Sequence, residues 1–147
     1  MENASKALLM AASILIAMLV IGLGTYLFNI FGTFSKNQQE KLYDNAVAQF
    51  NTQFTKYETM EEITIHDIIT LANYAKDYNL ANEITDSDSA YITIFLQGIG
   101  NIETKSTIDK NTLIQDAINN KIKYKLIDIQ YNEKTGRVNK ISFIKKN

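Results

Sequence analysis

The chain has no cysteine, no proline and no tryptophan, and its 147 residues include one arginine, Arg137, and one histidine, His66. Without cysteine there is no disulfide framework and no thiol catalysis, and the absence fits either side of a membrane. A lone histidine with no cysteine also leaves no ligand pattern for a metal centre. The missing proline and tryptophan, beside abundant Ile, Lys and Asn, read as an AT-rich bacterial coding bias and not as function. The most informative absence is local. None of the 29 residues between Lys6 and Lys36 carries a charge.

The strongly apolar part of that run, Ala7 to Phe28, holds 22 residues. As a helix it is about 33 Å long, enough for a bilayer core of roughly 30 Å. A secretory leader has a shorter apolar stretch followed by a small-x-small cleavage site, and Thr33-Phe34-Ser35 is a poor version of one. The expectation is therefore an uncleaved span, since a domain of this size has no core deep enough to enclose such a helix. Lys6 and the terminal amine precede the span, and Lys36 and Lys41 follow it, so basic residues give no clear orientation. The reading adopted places the short tail inside the cell and the rest of the chain outside. Ala4, Ala7 and Ala11 lie on one side of the helix, and Ser13 and Ala17 are spaced by four, which lets helices approach closely. Glu2 has two readings: an i,i+4 pair with Lys6, or a pair with the amine of a neighbouring copy.

The domains expected are a tail and membrane or assembly helix over 1–35 and a small soluble α+β domain over 36–147. Residues 36–120 hold six Lys against thirteen Asp and Glu, a net of −7; residues 121–147 hold eight basic residues against two acids, a net of +6. Such asymmetry marks either an association surface or two halves that face each other. Leu42, Ala46, Phe50, Phe54 and Tyr57 form one stripe at helical spacing, predicting a helix over 40–57 that continues the span. Gly22, Gly24 and Gly32 are where it could bend. Thr64 and Asp67 stand as a capping box, with Ile63 and Ile68 as a hydrophobic staple, ahead of a helix ending near Asn79. Residues 80–90 read as a loop, 91–100 as a strand, 101–109 as a polar connector, and 111–120 as a helix capped by Asp109 or Asn111. The C-terminal segment reads as a hairpin turning within 132–136, with a bulge at Leu126-Ile127. The fold class expected is α+β: a long apolar helix running into an amphipathic one, then a three-stranded antiparallel sheet packed with helices, its inner face covered by the aromatics at 50, 54 and 57.

No constellation for catalysis is visible. His66 falls at the second position of a helix, facing solvent, and the adjacent Asp67 does not share its face. Asp86 and Asp88 resemble the first ligands of a calcium loop but lack its glycine and distal acid, so a solvated turn is the better reading. Gly98 and Gly100 end a strand and form no phosphate loop. The reading is therefore not an enzyme, with no cofactor, no metal site and no small-molecule substrate. Lysines interleaved with Tyr124, Tyr131 and Phe143 could touch nucleic acid or anionic lipid, but they also serve to guard an edge hairpin, and for a domain outside the cell nucleic acid is an unlikely partner.

A charged short tail, an apolar N-terminal helix continuing as an amphipathic one, and a small sheet domain with a C-terminal hairpin resemble the type IV pilin and pseudopilin architecture. The resemblance implies an apolar half packed in a filament core, a domain decorating the outside, and an acid near the N-terminus neutralising a neighbour's amine, a part Glu2 would take. That family's leader motif, with Glu five residues into the mature chain, is not seen here; no Glu lies between positions 3 and 39. The start "MENASKALLMAASILIA" and the stretch "FNTQFTKYE" are also similar to single-span proteins of Gram-positive bacteria with no assigned function. The expected function is a structural, pilin-like subunit of a bacterial surface filament or secretion-type pseudopilus, assembling through its apolar helix, with membrane lipid and copies of itself as partners and Glu2, Lys6, Ala4, Ala7 and Ala11 as assembly residues. The alternative is a single-pass membrane-anchored binding module with a basic hairpin.

Overall fold

The computed structural model describes residues 2–146, and the terminal amine of Met1 lies outside them. The chain divides into two compact units, one up to Asp44 and one from Asn45 onward. One helix, α1 (Glu2–Thr55), provides the whole of the first unit and enters the second, where a 3-10 turn, Lys56–Thr59, ends it. The three glycines where the helix could bend sit in uninterrupted helix, with nothing within 4 Å of where a Cβ would stand.

The second unit continues with α2 (Ile65–Ala81), β1 (Thr93–Leu96), β2 (Gly100–Asn101), α3 (Thr107–Asn119), β3 (Lys123–Tyr131) and β4 (Val138–Lys146). The class is α+β, but the sheet is four-stranded and mixed, in the order β2-β1-β4-β3, and not three-stranded and antiparallel. Two local events explain the difference. Gly98 and Gly100 adopt φ of 86° and 95°, a region open to glycine at little cost, and fold the expected 91–100 strand back on itself so that Phe95 and Leu96 pair with Asn101 and Gly100. The chain then crosses over through α3 and β3, which brings β4 alongside β1 in parallel, Thr93 opposite Lys140 and Leu96 opposite Phe143. The hairpin of β3 and β4 forms as expected, with Ile127 as an extra residue between the pairs Leu126–Phe143 and Asp128–Ser142.

The start of α2 follows from local chemistry. Asp67 N–H donates to Thr64 Oγ1 at 3.3 Å and Thr64 N–H donates to Asp67 Oδ2 at 2.9 Å, while Ile63 and Ile68 are fully buried. At α3 Ser106 Oγ accepts from Asp109 N–H at 3.2 Å and donates to Asp109 Oδ2 at 2.8 Å, so the cap is Ser106 and not Asp109 or Asn111. The apolar faces meet in one core of Phe54, Tyr57, Ile63, Ile68, Leu71, Ile92, Ile94, Leu96, Ile141 and Phe143.

The amphipathic stripe of α1 is only half used. Phe54 and Tyr57 are buried and Phe50 half-buried, whereas Leu42 and Ala46 are exposed. Tyr57 meets Phe143 of β4, with ring centroids 6.2 Å apart, while Phe50 and Phe54, part of the same core, also pack on Tyr78 and Tyr74 of α2.

Candidate functional site

The first unit is a helix whose surface is almost entirely exposed. From Asn3 to Ser35 every residue is exposed but Gly24, which is intermediate. The helix is long and apolar enough to cross a membrane. Its polar side chains suit that medium. Ser13 Oγ donates to Leu9 O at 2.8 Å, Thr25 Oγ1 to Ile21 O at 2.9 Å, Asn29 Nδ2 to Thr25 O at 3.1 Å, and Thr33 Oγ1 to Asn29 O at 3.0 Å. These back-bonds to the preceding turn satisfy donors that lipid cannot.

Glu2, Ala4, Lys6, Ala7 and Ala11 all lie in the first three turns of α1 and all are exposed. Lys6 Nζ sits 3.0 Å from Glu2 Oε1, the local i,i+4 pair. An exposed pair of this kind contributes roughly 0.3–0.5 kcal/mol, so it leaves Glu2 ready to exchange partners. Ala4, Ala7 and Ala11 share a face by their spacing of three and four.

A second stripe escaped the reading of the sequence. Thr25, Asn29 and Thr33 recur every four residues inside the uncharged run. Asn29 uses one of its two amide N–H groups, and its second N–H and its side-chain carbonyl oxygen have no partner among the described residues. The spacing itself was the available signal.

In the second unit, the end of α1 is docked by side chains of "FNTQF". Asn51 is the clamp. Its Nδ2 donates to Gly136 O at 2.9 Å, and its Oδ1 accepts from Val138 N–H at 2.9 Å. Beside it, the Arg137 guanidinium lies 5.4 Å from the Phe50 ring centroid and donates to Tyr78 OH. The hairpin turn is held by Asn132, whose Oδ1 accepts from Lys134 N–H at 2.9 Å and Thr135 N–H at 3.0 Å, while its Nδ2 donates to Ser89 O at 2.8 Å. A cavity of about 60 Å³ lies among Phe50, Tyr78, Ile92, Arg137 and Asn139. Arg137 Nε and Asn139 Oδ1 are buried without a partner among the described residues, and the space has room for a water or two, each of about 30 Å³.

Buried polar groups also close the edge of β1. Asn79 exchanges two hydrogen bonds of 3.0 Å with the backbone of Ile92. Glu103, only 1% exposed, accepts from Ile94 N–H at 2.9 Å through Oε2. Burial pushes the Glu103 carboxyl above the usual carboxylate range, against the Ile94 hydrogen bond and Lys110, which lower it. Lys110 is buried too. Its Nζ donates to Asn73 Oδ1 at 2.7 Å, and burial pushes its ammonium below the ordinary lysine range. Glu103 lay in the stretch expected to be a polar connector, and no periodicity marks it as interior.

His66 is exposed on α2. Asp88, one of the two acids compared with a calcium loop, is engaged in a turn. Its Oδ2 accepts from Thr85 N–H and Oγ1, each at 2.8 Å, and these bonds hold its carboxyl below the usual range. Among the described residues no three His, Asp or Glu side chains gather as metal ligands. The basic hairpin is partly spent on the fold: Lys123 pairs with Glu62 at 3.5 Å and Lys146 Nζ donates to Glu61 O at 3.1 Å.

Compared with known proteins, the chain matches no protein-family model, no curated protein and no solved structure.

Proposed function

We propose that the chain is a pilin-like structural subunit of a bacterial surface filament or secretion-type pseudopilus. Its apolar helix is held first by lipid and then by copies of itself, and its α+β domain is displayed outside the cell. The role is architectural and not catalytic. One observation carries the reading: an apolar helical surface several turns long has no cover among the described residues, yet the same helix continues to Thr55, where Asn51 and Phe54 tie its end to the second unit. Apolar area leaves water at roughly 25 cal/mol per Å², so such a surface demands lipid or sister helices. Glu2, Lys6, Ala4, Ala7 and Ala11 form the entry to that packing, with Glu2 exchanging Lys6 for a neighbour's amine.

The test is Glu2→Lys in the full chain. Membrane insertion is retained, while polymers vanish from sheared surface material viewed by electron microscopy. Normal filaments from this variant refute the role of Glu2. Small particles from the wild-type chain, seen on sedimentation after gentle detergent extraction, favour the second reading, a membrane-anchored module whose exposed hairpin lysines meet an anionic partner. Protection of the domain from protease in intact cells would contradict the outward placement.

A further inference from the structure

Ile92, Ile94, Leu96, Ile141 and Phe143 are buried on the face of the sheet where α2 packs on β1 and α3 on α2. Cross-strand register places the alternate residues together on the other face: Thr93 beside Lys140 and Gln130, Phe95 beside Ser142 and Asp128, Ile144 beside Lys125. Phe95 and Ile144 remain half-buried there, outside the core. Lys140 Nζ stands 5.4 Å from the Phe95 ring centroid, and Asp128 is engaged by Gln130 Nε2 at 2.8 Å. The open face is thus apolar at its centre and basic around it, with Lys125 free of any ion pair among the described residues.

The helical layer leans the other way. Asp77, Asp109 and Asp116 are exposed on α2 and α3 against one exposed lysine, Lys76, and Glu83 and Asp86 are exposed on the loop after α2. Folding has converted a charge asymmetry along the sequence into one across the two layers of a single domain. Basic and acidic surfaces on different layers cannot satisfy each other within one copy, but they can between copies.

We propose that the open sheet face, centred on Phe95 and Ile144 with Lys125 and Lys140 beside them, receives the acidic α2–α3 layer of a second copy of this chain. The inference rests on the subunit reading above and names the surface that sets direction and register. The two patches differ, so the contact is heterologous. A docked pair still offers one free patch of each kind, the helical layer on one copy and the sheet face on the other, and such contacts propagate into filaments unless rotation closes a ring. Exposed charge pairs contribute little individually and are screened within about 8 Å at physiological salt, so the apolar helix supplies affinity while this face selects the arrangement.

The experiment uses charge exchange in the full chain. Lys125→Glu with Lys140→Glu, and separately Asp77→Lys with Asp116→Lys, each reduce the sedimentable polymer by about tenfold or more, because attractive pairs become repulsive. Near-UV circular dichroism confirms that both variants fold. Mixing the two variants restores polymer, since each sheet then meets a helical layer of opposite sign. Wild-type levels of polymer from the sheet variant overturn the docking and leave the subunit reading standing. So does a sheet variant that polymerises normally but no longer binds vesicles of anionic lipid, which assigns the face to lipid. A wild-type chain that forms no polymer removes both readings together.

Discussion

Asn51→Ala tests how the helix is tied to the hairpin. The amide bridges residues far apart in sequence, bonding Gly136 O and Val138 N–H at 2.9 Å each. Val138 is 1% exposed, so truncation leaves its N–H buried without an acceptor, a loss of about 1–3 kcal/mol. Gly136 is exposed, and water replaces the lost donor at its carbonyl, adding at most roughly 0.5–1 kcal/mol. The total is about 1–4 kcal/mol, which lowers Tm by on the order of 10 °C for a domain of this size. The assay is thermal unfolding of the full chain in non-ionic detergent, followed by near-UV circular dichroism of its tyrosines, which include the core residue Tyr57. Gln53→Ala, an exposed neighbour on the same helix, serves as the control and stays within about 0.5 kcal/mol of wild type. If Asn51→Ala is no worse than that control, water reaches Val138 N–H and the clamp is not what secures α1.

Two other outcomes follow from the geometry. Burial raises the Glu103 pKa above its unfolded value of about 4.3, so the folded state binds more protons than the unfolded one as pH climbs; stability from this group is full below about pH 4.3 and is lost as pH rises through the folded pKa. Glu103→Gln keeps an acceptor for Ile94 N–H and therefore stabilises the chain in urea denaturation at neutral pH, with the gain vanishing in acid; destabilisation that is greatest at neutral pH would show that the Lys110 attraction outweighs burial. Asn29→Leu removes the spare amide bonding capacity from the apolar helix and weakens self-association in detergent by several-fold, about 1 kcal/mol per interhelical hydrogen bond, read by sedimentation equilibrium; unchanged association places Asn29 outside the helix–helix contact.

The parts of this protein legible in its residues are those governed by neighbours in sequence. The apolar run Ala7 to Phe28 reads as a helix long enough to span a bilayer, and that helix is present. Thr64 and Asp67 close a cap within one turn, and the paired Leu126-Ile127 breaks strand alternation locally, where the bulge does form. Ser106 was legible by the same rule as Thr64 and was masked by the polar residues around it. For the candidate site, the Glu2–Lys6 pair and the small-residue face were readable from spacing, whereas Asn51 was one polar residue among several in the amphipathic stretch.

What the sequence alone determined is the apolar helix, the start of α2, the terminal hairpin and an uneven distribution of charge, because short-range periodicity and hydrogen bonding decide each of these. Tertiary structure decided the rest: the parallel pairing of Thr93–Leu96 with Lys140–Phe143, the clamp of Asn51 on Gly136 and Val138, the burial of Glu103, and the sorting of charge onto opposite layers. The physical reason is that partners distant along the chain are chosen by which apolar faces can be buried together. A side chain's polarity states only what it needs, and packing determines where that need is met.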